Sequence, residues 1–168
     1  MNKKLVLTLT MMVLTAALLL SVPAAADSIN LVLAAPVQTV LVGSTVSFTA
    51  TVTAPTTNGA TIFLNGDSFN VDAPLILDDF PFVFGFPLSM NPGDSFTGLL
   101  FIVDAPTGPR GSYFGNFQIL GGSDGSALDP ISNVTPFQVD VVAEPGSMLL
   151  LGTGSMALFG ALRRKLRG

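Results

Sequence analysis

The 168-residue chain contains no cysteine, no histidine and no tryptophan, and a single tyrosine, Tyr113. Without cysteine there is no disulfide and no thiolate nucleophile. Without histidine the usual general base and the common imidazole metal ligand are missing. Positive charge is scarce as well, with 7 Lys and Arg in all. Six of them, Lys3, Lys4, Arg163, Arg164, Lys165 and Arg167, lie near the two ends, so that Arg110 is the one cation of the middle. All 11 acidic residues fall between Asp27 and Glu144. One positive against eleven negative charges gives that middle a formal charge of −10, which the whole-chain value of −4 conceals. A surface so acidic repels nucleic acid, and no nucleic-acid partner is expected. With no lysine in the middle a Schiff base is excluded, and nothing obvious would activate its many serines and threonines.

Both ends are apolar, and they inflate the mean hydropathy of +0.64. At the start, Lys3 and Lys4 precede the apolar run Leu5–Leu20, Pro23 breaks it, and Ala24-Ala25-Ala26 follows. This is the pattern of a secretory signal peptide over residues 1–26, with Ala24 and Ala26 as the small residues read by signal peptidase. An uncleaved N-terminal anchor is the alternative. At the other end, Met148–Leu162 carries no charge over 15 residues. As a helix it spans about 22 Å, short of the ~30 Å hydrocarbon core and hence a marginal transmembrane segment. The basic cluster Arg163, Arg164, Lys165 and Arg167 behind it would hold that end in the cytoplasm. A short tail helix packed on the globular part is the competing reading.

The last 25 residues, 144–168, resemble the PEP-CTERM sorting domain of exported bacterial proteins. Three features carry the resemblance: Ala143-Glu144-Pro145 in place of the Pro-Glu-Pro element, a Leu/Gly-rich helix over about 147–162, and the basic residues at 163–167. Ala143 departs from the proline usual at the first position. The resemblance implies transient anchoring in the inner membrane, then recognition and cleavage near Glu144-Pro145 by an exosortase-type enzyme. It further implies residence at the cell surface or in an exopolysaccharide matrix.

Between the ends, residues 27–143 are one domain's worth of chain. Its periodicity is 2. Thr45–Thr53 alternates strictly, with Val46, Phe48, Ala50 and Val52 on one side and Ser or Thr on the other. Such alternation marks a strand with one wet face. Ser28–Leu33 and Gln38–Val42 read as two short strands split by Pro36, an edge strand that changes partner. Thr61–Leu64 and Asp67–Val71 flank Asn65-Gly66, the strongest short hairpin signal. Phe80–Phe86, Ser95–Val103, Ser112–Leu120 and Thr135–Val142 complete the expected strands, with a bulge placed at Gly98. No stretch shows a convincing helical period. The predicted fold is all-β, an immunoglobulin-like antiparallel β-sandwich flanked by the signal-peptide helix and the transmembrane helix. Tyr113 follows the Pro106–Pro109 turn, where a tyrosine corner would sit; an ordinary core aromatic is the alternative.

Chemistry in this domain has little to work with. No catalytic residue and no cofactor is expected. Calcium is the better candidate ligand, because loop carboxylates supply hard oxygen donors. Asp67 near Asn65, Asp78-Asp79, and Asp124 with Asp129 are the candidates, none at EF-hand spacing; solvated loop carboxylates are the simpler account. Phe80, Phe82, Phe84 and Phe86 would share one face of a strand, either as an aromatic platform for glycan or protein or as a core wall. Asn133-Val134-Thr135 matches a glycosylation sequon. The function expected is that of an exported, non-enzymatic surface or matrix protein. The alternatives are an extracellular binding module for carbohydrate or calcium, and a plain single-pass membrane protein.

Overall fold

The computed structural model describes residues 27–106 and 108–143, together with Gly146, Gly152 and Thr153. Ten strands form two sheets: β1 (Asn30–Leu33), β2 (Val37–Leu41), β3 (Thr45–Thr53), β4 (Ile62–Val71), β5 (Ile76–Asp78), β6 (Ser89–Met90), β7 (Ser95–Asp104), β8 (Gly111–Gly122), β9 (Asp129–Pro130) and β10 (Thr135–Val142). The helix α1 (Phe80–Gly85) lies between β5 and β6. One sheet runs β1-β3-β7-β5, and the other β2-β10-β8-β4-β6 with β9 beside β8. The expected sandwich is therefore present. Among the described residues it departs from pure antiparallel pairing at two places, where β2 runs parallel to β10 and where Ile29 bridges Ser132 in parallel. The chain crosses from one sheet to the other at Ala34–Pro36, as the proline between two short strands predicted.

Alternation decides which face is buried. Phe48, Ala50 and Val52 on β3 are fully buried, and so are Phe117 and Ile119 on β8 and Val139 on β10. Four phenylalanines join the sheets at the centre. Phe48 stacks on Phe101 at 4.8 Å, Phe101 on Phe117 at 5.2 Å, and Phe137 lies 4.8 Å from Phe101. Such ring pairs add about 0.5–1.5 kcal/mol each beyond the area they bury.

Three local expectations are corrected. The Phe80–Phe86 stretch is a helix, not a strand. Asp78 Oδ1 accepts from Phe80 N at 3.0 Å, and Pro81 sits in the first turn, where its missing N–H costs no bond. Pro87 holds Phe86 extended and ends the helix there. The four phenylalanines divide by the i, i+4 rule. Phe82 and Phe86 are buried, whereas Phe80 and Phe84 are exposed and stack on each other at 4.8 Å. Residues two apart share a face in a strand but take opposite faces in a helix, so the same four rings are split once the run is helical.

The second correction concerns Asn65-Gly66. No hairpin forms, and neither residue has positive φ. The β4 strand runs straight through, paired with β8, and Asn65 is the extra residue where register slips between Leu64 and Gly66. The third moves the bulge on β7. Phe48 pairs with Phe101 and Thr49 with Leu99, which leaves Leu100 as the inserted residue. Leu100 and Phe101 are both fully buried, while Leu99 faces out. Gly98 has a different role, since a Cβ there would stand 2.8 Å from the ring of Phe96.

Candidate functional site

One side of the sandwich lies between β4 and β5, and α1 fills it. Phe82 points inward and meets Phe117 edge-on at 5.8 Å; Phe86 meets Phe96 at 5.0 Å. Between α1 and β4 remains a cleft of about 460 Å³. Phe63, Leu64, Asn65 and Gly66 form its β4 wall, and Phe82, Val83, Phe86, Pro87 and Leu88 form the opposite wall. The lining is apolar, and the exposed Phe80, Phe84 and Leu88 add to the apolar surface of this side. Asn65 is the one polar side chain of the lining. Its Nδ2 is already committed, donating to Asp124 O at 2.7 Å and Ala127 O at 2.8 Å. The bulge thus aims Asn65 at the loop after β8 and ties that loop down.

Next along β4 stands Asp67, half-buried, with Oδ2 sealed from solvent and without a hydrogen-bond partner. Burial first, then the charge of Asp79, push the Asp67 carboxyl up to about 7. Asp79 occupies the N-cap position of α1, yet its side chain makes no capping bond. The two carboxyls lie in each other's field without a well-formed hydrogen bond between them. Arg110, the one cation among the described residues, precedes β8 at the end remote from the cleft and does not relieve them.

The calcium candidates do not converge. Asp124 spends Oδ1 on Ser126 N at 2.8 Å, Ser126 Oγ at 2.8 Å and Ala127 N at 3.0 Å. These bonds, led by Ser126, hold its carboxyl below the usual range. Asp78 receives Phe80 N, and Asp129 belongs to β9. Among the described residues no group of three acidic, His or Cys side chains surrounds a point where a metal ion could sit. The aromatic face expected at Phe80–Phe86 is divided, half in the core and half exposed. The sequon residue Asn133 is engaged in structure: Oδ1 accepts from Leu31 N at 3.0 Å and Nδ2 donates to Leu31 O at 3.1 Å. Tyr113 stands where a tyrosine corner requires it, its hydroxyl donating to Pro109 O at 2.6 Å.

The addressing residues Ala24, Ala26, Glu144, Pro145, Arg163, Arg164, Lys165 and Arg167 lie outside the described residues. Among the described residues no helix is long and apolar enough to cross a membrane. The cleft and the Asp67–Asp79 pair were not legible in the sequence. Only the β4 bulge and α1, both misread from local pattern, bring their residues together.

No protein-family model matches the chain, and no curated protein matches it. Among solved structures, one that overlaps it is native alpha-2-macroglobulin from Escherichia coli, spanning domain MG7 to the C-terminus. Identity is 17% and the TM-score 0.48, over 70% of this chain and 17% of that one. A second is the CARDB domain of a Pyrococcus furiosus protein, solved in complex with di-metal ions. Here identity is 17% and the TM-score 0.38, over 68% of this chain and 86% of that one. At such scores the overlap assigns neither a family nor a function.

Proposed function

We propose that the protein is an exported, non-enzymatic component of the cell surface or of an exopolysaccharide matrix. Residues 27–143 are an immunoglobulin-like sandwich serving as cargo. The Tyr113–Pro109 bond supports the immunoglobulin-like reading, since a tyrosine hydroxyl turned back onto upstream backbone is a hallmark of that architecture. The observation that carries the proposal is the partition of the chain: an apolar, basic-flanked segment at each end and an acidic middle with Arg110 as its one cation. The signal peptide delivers the domain across the membrane, with signal peptidase cutting after Ala26. The 147–162 helix stops transfer, and the basic residues at 163–167 set the topology. An exosortase-type enzyme then cuts near Glu144-Pro145. The non-enzymatic part rests on the missing histidine, cysteine and domain lysine.

Mass spectrometry of the mature protein tests this. Expected are an N-terminus at Asp27 and loss of the basic tail when the sorting enzyme is co-expressed. A mature chain still ending in Arg167-Gly168 under those conditions overturns the sorting step and leaves a single-pass anchor.

The apolar cleft between β4 and α1 favours a second reading, an extracellular binding module. Calorimetry with matrix polysaccharide and with Ca²⁺ separates the two: defined stoichiometry supports a binding module, and absence of heat supports a structural role. Asp124 closes on the backbone of Ser126 and Ala127, which argues against calcium there.

A further inference from the structure

A sheet edge presents a row of backbone N–H and C=O groups to any extended chain that comes near. Folded proteins guard such edges with side chains, charge, bulges or brevity. Most edges of this sandwich are guarded in one of these ways. On β1 the amide of Asn133 occupies both backbone groups of Leu31. The edge strand β5 has three residues and ends in Asp78, and β6 has two. Past Phe63, where pairing with β6 stops, β4 carries the bulge at Asn65 and the acid Asp67. The β2 strand has none of these devices. It is a five-residue edge of the six-stranded sheet, paired with β10 on one side. From Val37 to Val42 it reads Val-Gln-Thr-Val-Leu-Val, without charge, glycine or proline. Such a window is rich in β-formers and well suited to strand addition. Pro36 gives no protection, because its carbonyl is turned to β10, accepting from Gln138 N at 2.8 Å.

Hydrogen bonds at the two ends of β2 fix which of its backbone groups are free. Gln138 N donates to Pro36 O, and Val42 N to Val142 O at 3.1 Å. Alternate residues bond across a parallel ladder, so Gln38 and Val40 also face β10 with their backbone. Val37, Thr39 and Leu41 turn theirs to the open side. Among the described residues, Ser44 N alone reaches one of these groups, donating to Leu41 O at 3.1 Å. The side chains of the same three residues lie exposed on the outer face, Val37 at 56% and Leu41 at 38%.

We infer that β2 is a self-association edge: two copies of this chain pair β2 with β2, antiparallel about a two-fold at Thr39, and join their six-stranded sheets into one. The edge is its own complement. Thr39 meets Thr39, and Val37 of each copy meets Leu41 of the other, every pair exchanging N–H and C=O across the join. On the outer face valine and leucine then cover each other. Charge favours a strand of the same kind. A basic partner finds no countercharge on β2, whereas a second uncharged strand desolvates no ion on pairing. The acid nearest in register is Asp140 on β10, beside Thr39. It is already engaged by Ser112 Oγ at 2.6 Å and Gln138 Nε2 at 2.8 Å. Two domains of formal charge −10 still repel at a distance. The pairing is therefore weak, and it tightens as salt shortens the Debye length. Because the contact is isologous, it closes at two copies. It requires neither anchoring nor cleavage of the tail.

Sedimentation equilibrium of the full chain in density-matched detergent tests the pairing, from about 1 µM to about 1 mM protein. The native chain should show a monomer–dimer equilibrium that tightens from about 0.05 M to about 0.5 M salt. Thr39→Lys sets two ammonium groups opposite each other, and Thr39→Pro removes the N–H at the two-fold. Each should raise the dissociation constant on the order of tenfold or more. Since the chain has no cysteine, Thr39→Cys supplies a single thiol, which a short bis-maleimide should link between copies. Val32→Cys, on the guarded β1 edge, should stay unlinked. A native chain that remains monomeric throughout overturns the inference, as it would if residues 144–168 of the same chain covered β2. So does a dimer that both Thr39→Lys and Thr39→Pro leave as tight as before, which would lie in the tail helices or on another face. Linkage through Val32→Cys and not through Thr39→Cys overturns it as well.

Discussion

The amide of Asn133 pairs with both backbone groups of Leu31, accepting from its N–H at 3.0 Å and donating to its carbonyl at 3.1 Å. It acts as one residue of a missing strand along β1. Asn58 does the same at the other end of the segment, taking Ser28 N at 3.2 Å and giving to Ser28 O at 2.8 Å. Two side chains thus fasten the first strand where no neighbouring strand continues. Asn133→Ala should destabilise the domain by about 1–3 kcal/mol, because it strands the N–H of buried Leu31 and leaves its carbonyl with Thr135 Oγ1 at 3.3 Å alone. Chemical denaturation reads this directly, and Asn133→Asp should not restore the donated bond.

Tyr113→Phe removes the hydroxyl and leaves the ring. The loss of one hydrogen bond to Pro109 O should cost about 0.5–1.5 kcal/mol. Thermal melting should register it as a drop of about 2–8 °C. A variant that melts with the native protein would show the corner to be ornamental.

The helical division of the Phe80–Phe86 stretch separates two substitutions that a strand would make alike. Phe82 is 4% exposed and Phe84 is 74% exposed. Phe82→Ala opens a hole against Phe117 and should cost about 3–5 kcal/mol. Phe84→Ala touches little besides Phe80 and should cost about 0.5 kcal/mol or less. Similar losses in the two would revive the strand.

Gly121 sits where a Cβ would run into the carbonyl of Phe63 across the β4–β8 ladder. The obstacle is backbone, so it does not step aside. Gly121→Ala should break local pairing and cost at least about 2 kcal/mol. Gly125, with open space around its Cβ position, is the matched control: Gly125→Ala should be close to neutral. Paired urea titrations compare them.

Stability should depend on pH with two limbs of opposite sign. Below 3.8 the Asp67 carboxyl is protonated folded and unfolded alike. Between 3.8 and about 7 the folded protein holds a proton that the unfolded chain has released, so stability falls as pH rises. Allowing for half-exposure, the whole effect amounts to about 1–2 kcal/mol. Asp124, held down by Ser126, and Asp140, held down by Ser112 and then Gln138, act the other way. Their contribution is present above 3.8 and fades as pH falls below it. Melting temperature should therefore peak near about pH 4–5, and Asp67→Asn should flatten the slope above the peak.

The amino-acid sequence alone determined the class of this domain and much of its framework. Strict alternation in Thr45–Thr53 settled which side of β3 is wet, because a strand turns each successive side chain to the opposite face. Pro36 announced the change of sheet, whereas the position of Tyr113 suited a tyrosine corner and an ordinary core aromatic alike. The acidic middle and the two apolar ends were equally plain, since charge and hydropathy are additive along the chain. Tertiary structure decided what local signals left in balance. Asn65-Gly66 suits a turn and a bulge alike, and the long partner β8 selects the bulge. Phenylalanines two apart read as one face of a strand, and the helix that forms instead sends Phe82 and Phe86 into the core and leaves Phe80 and Phe84 outside. The meeting of Asp67 with Asp79 follows from those two choices. It joins residues twelve apart through packing, and no reading of neighbours along the chain contains that information.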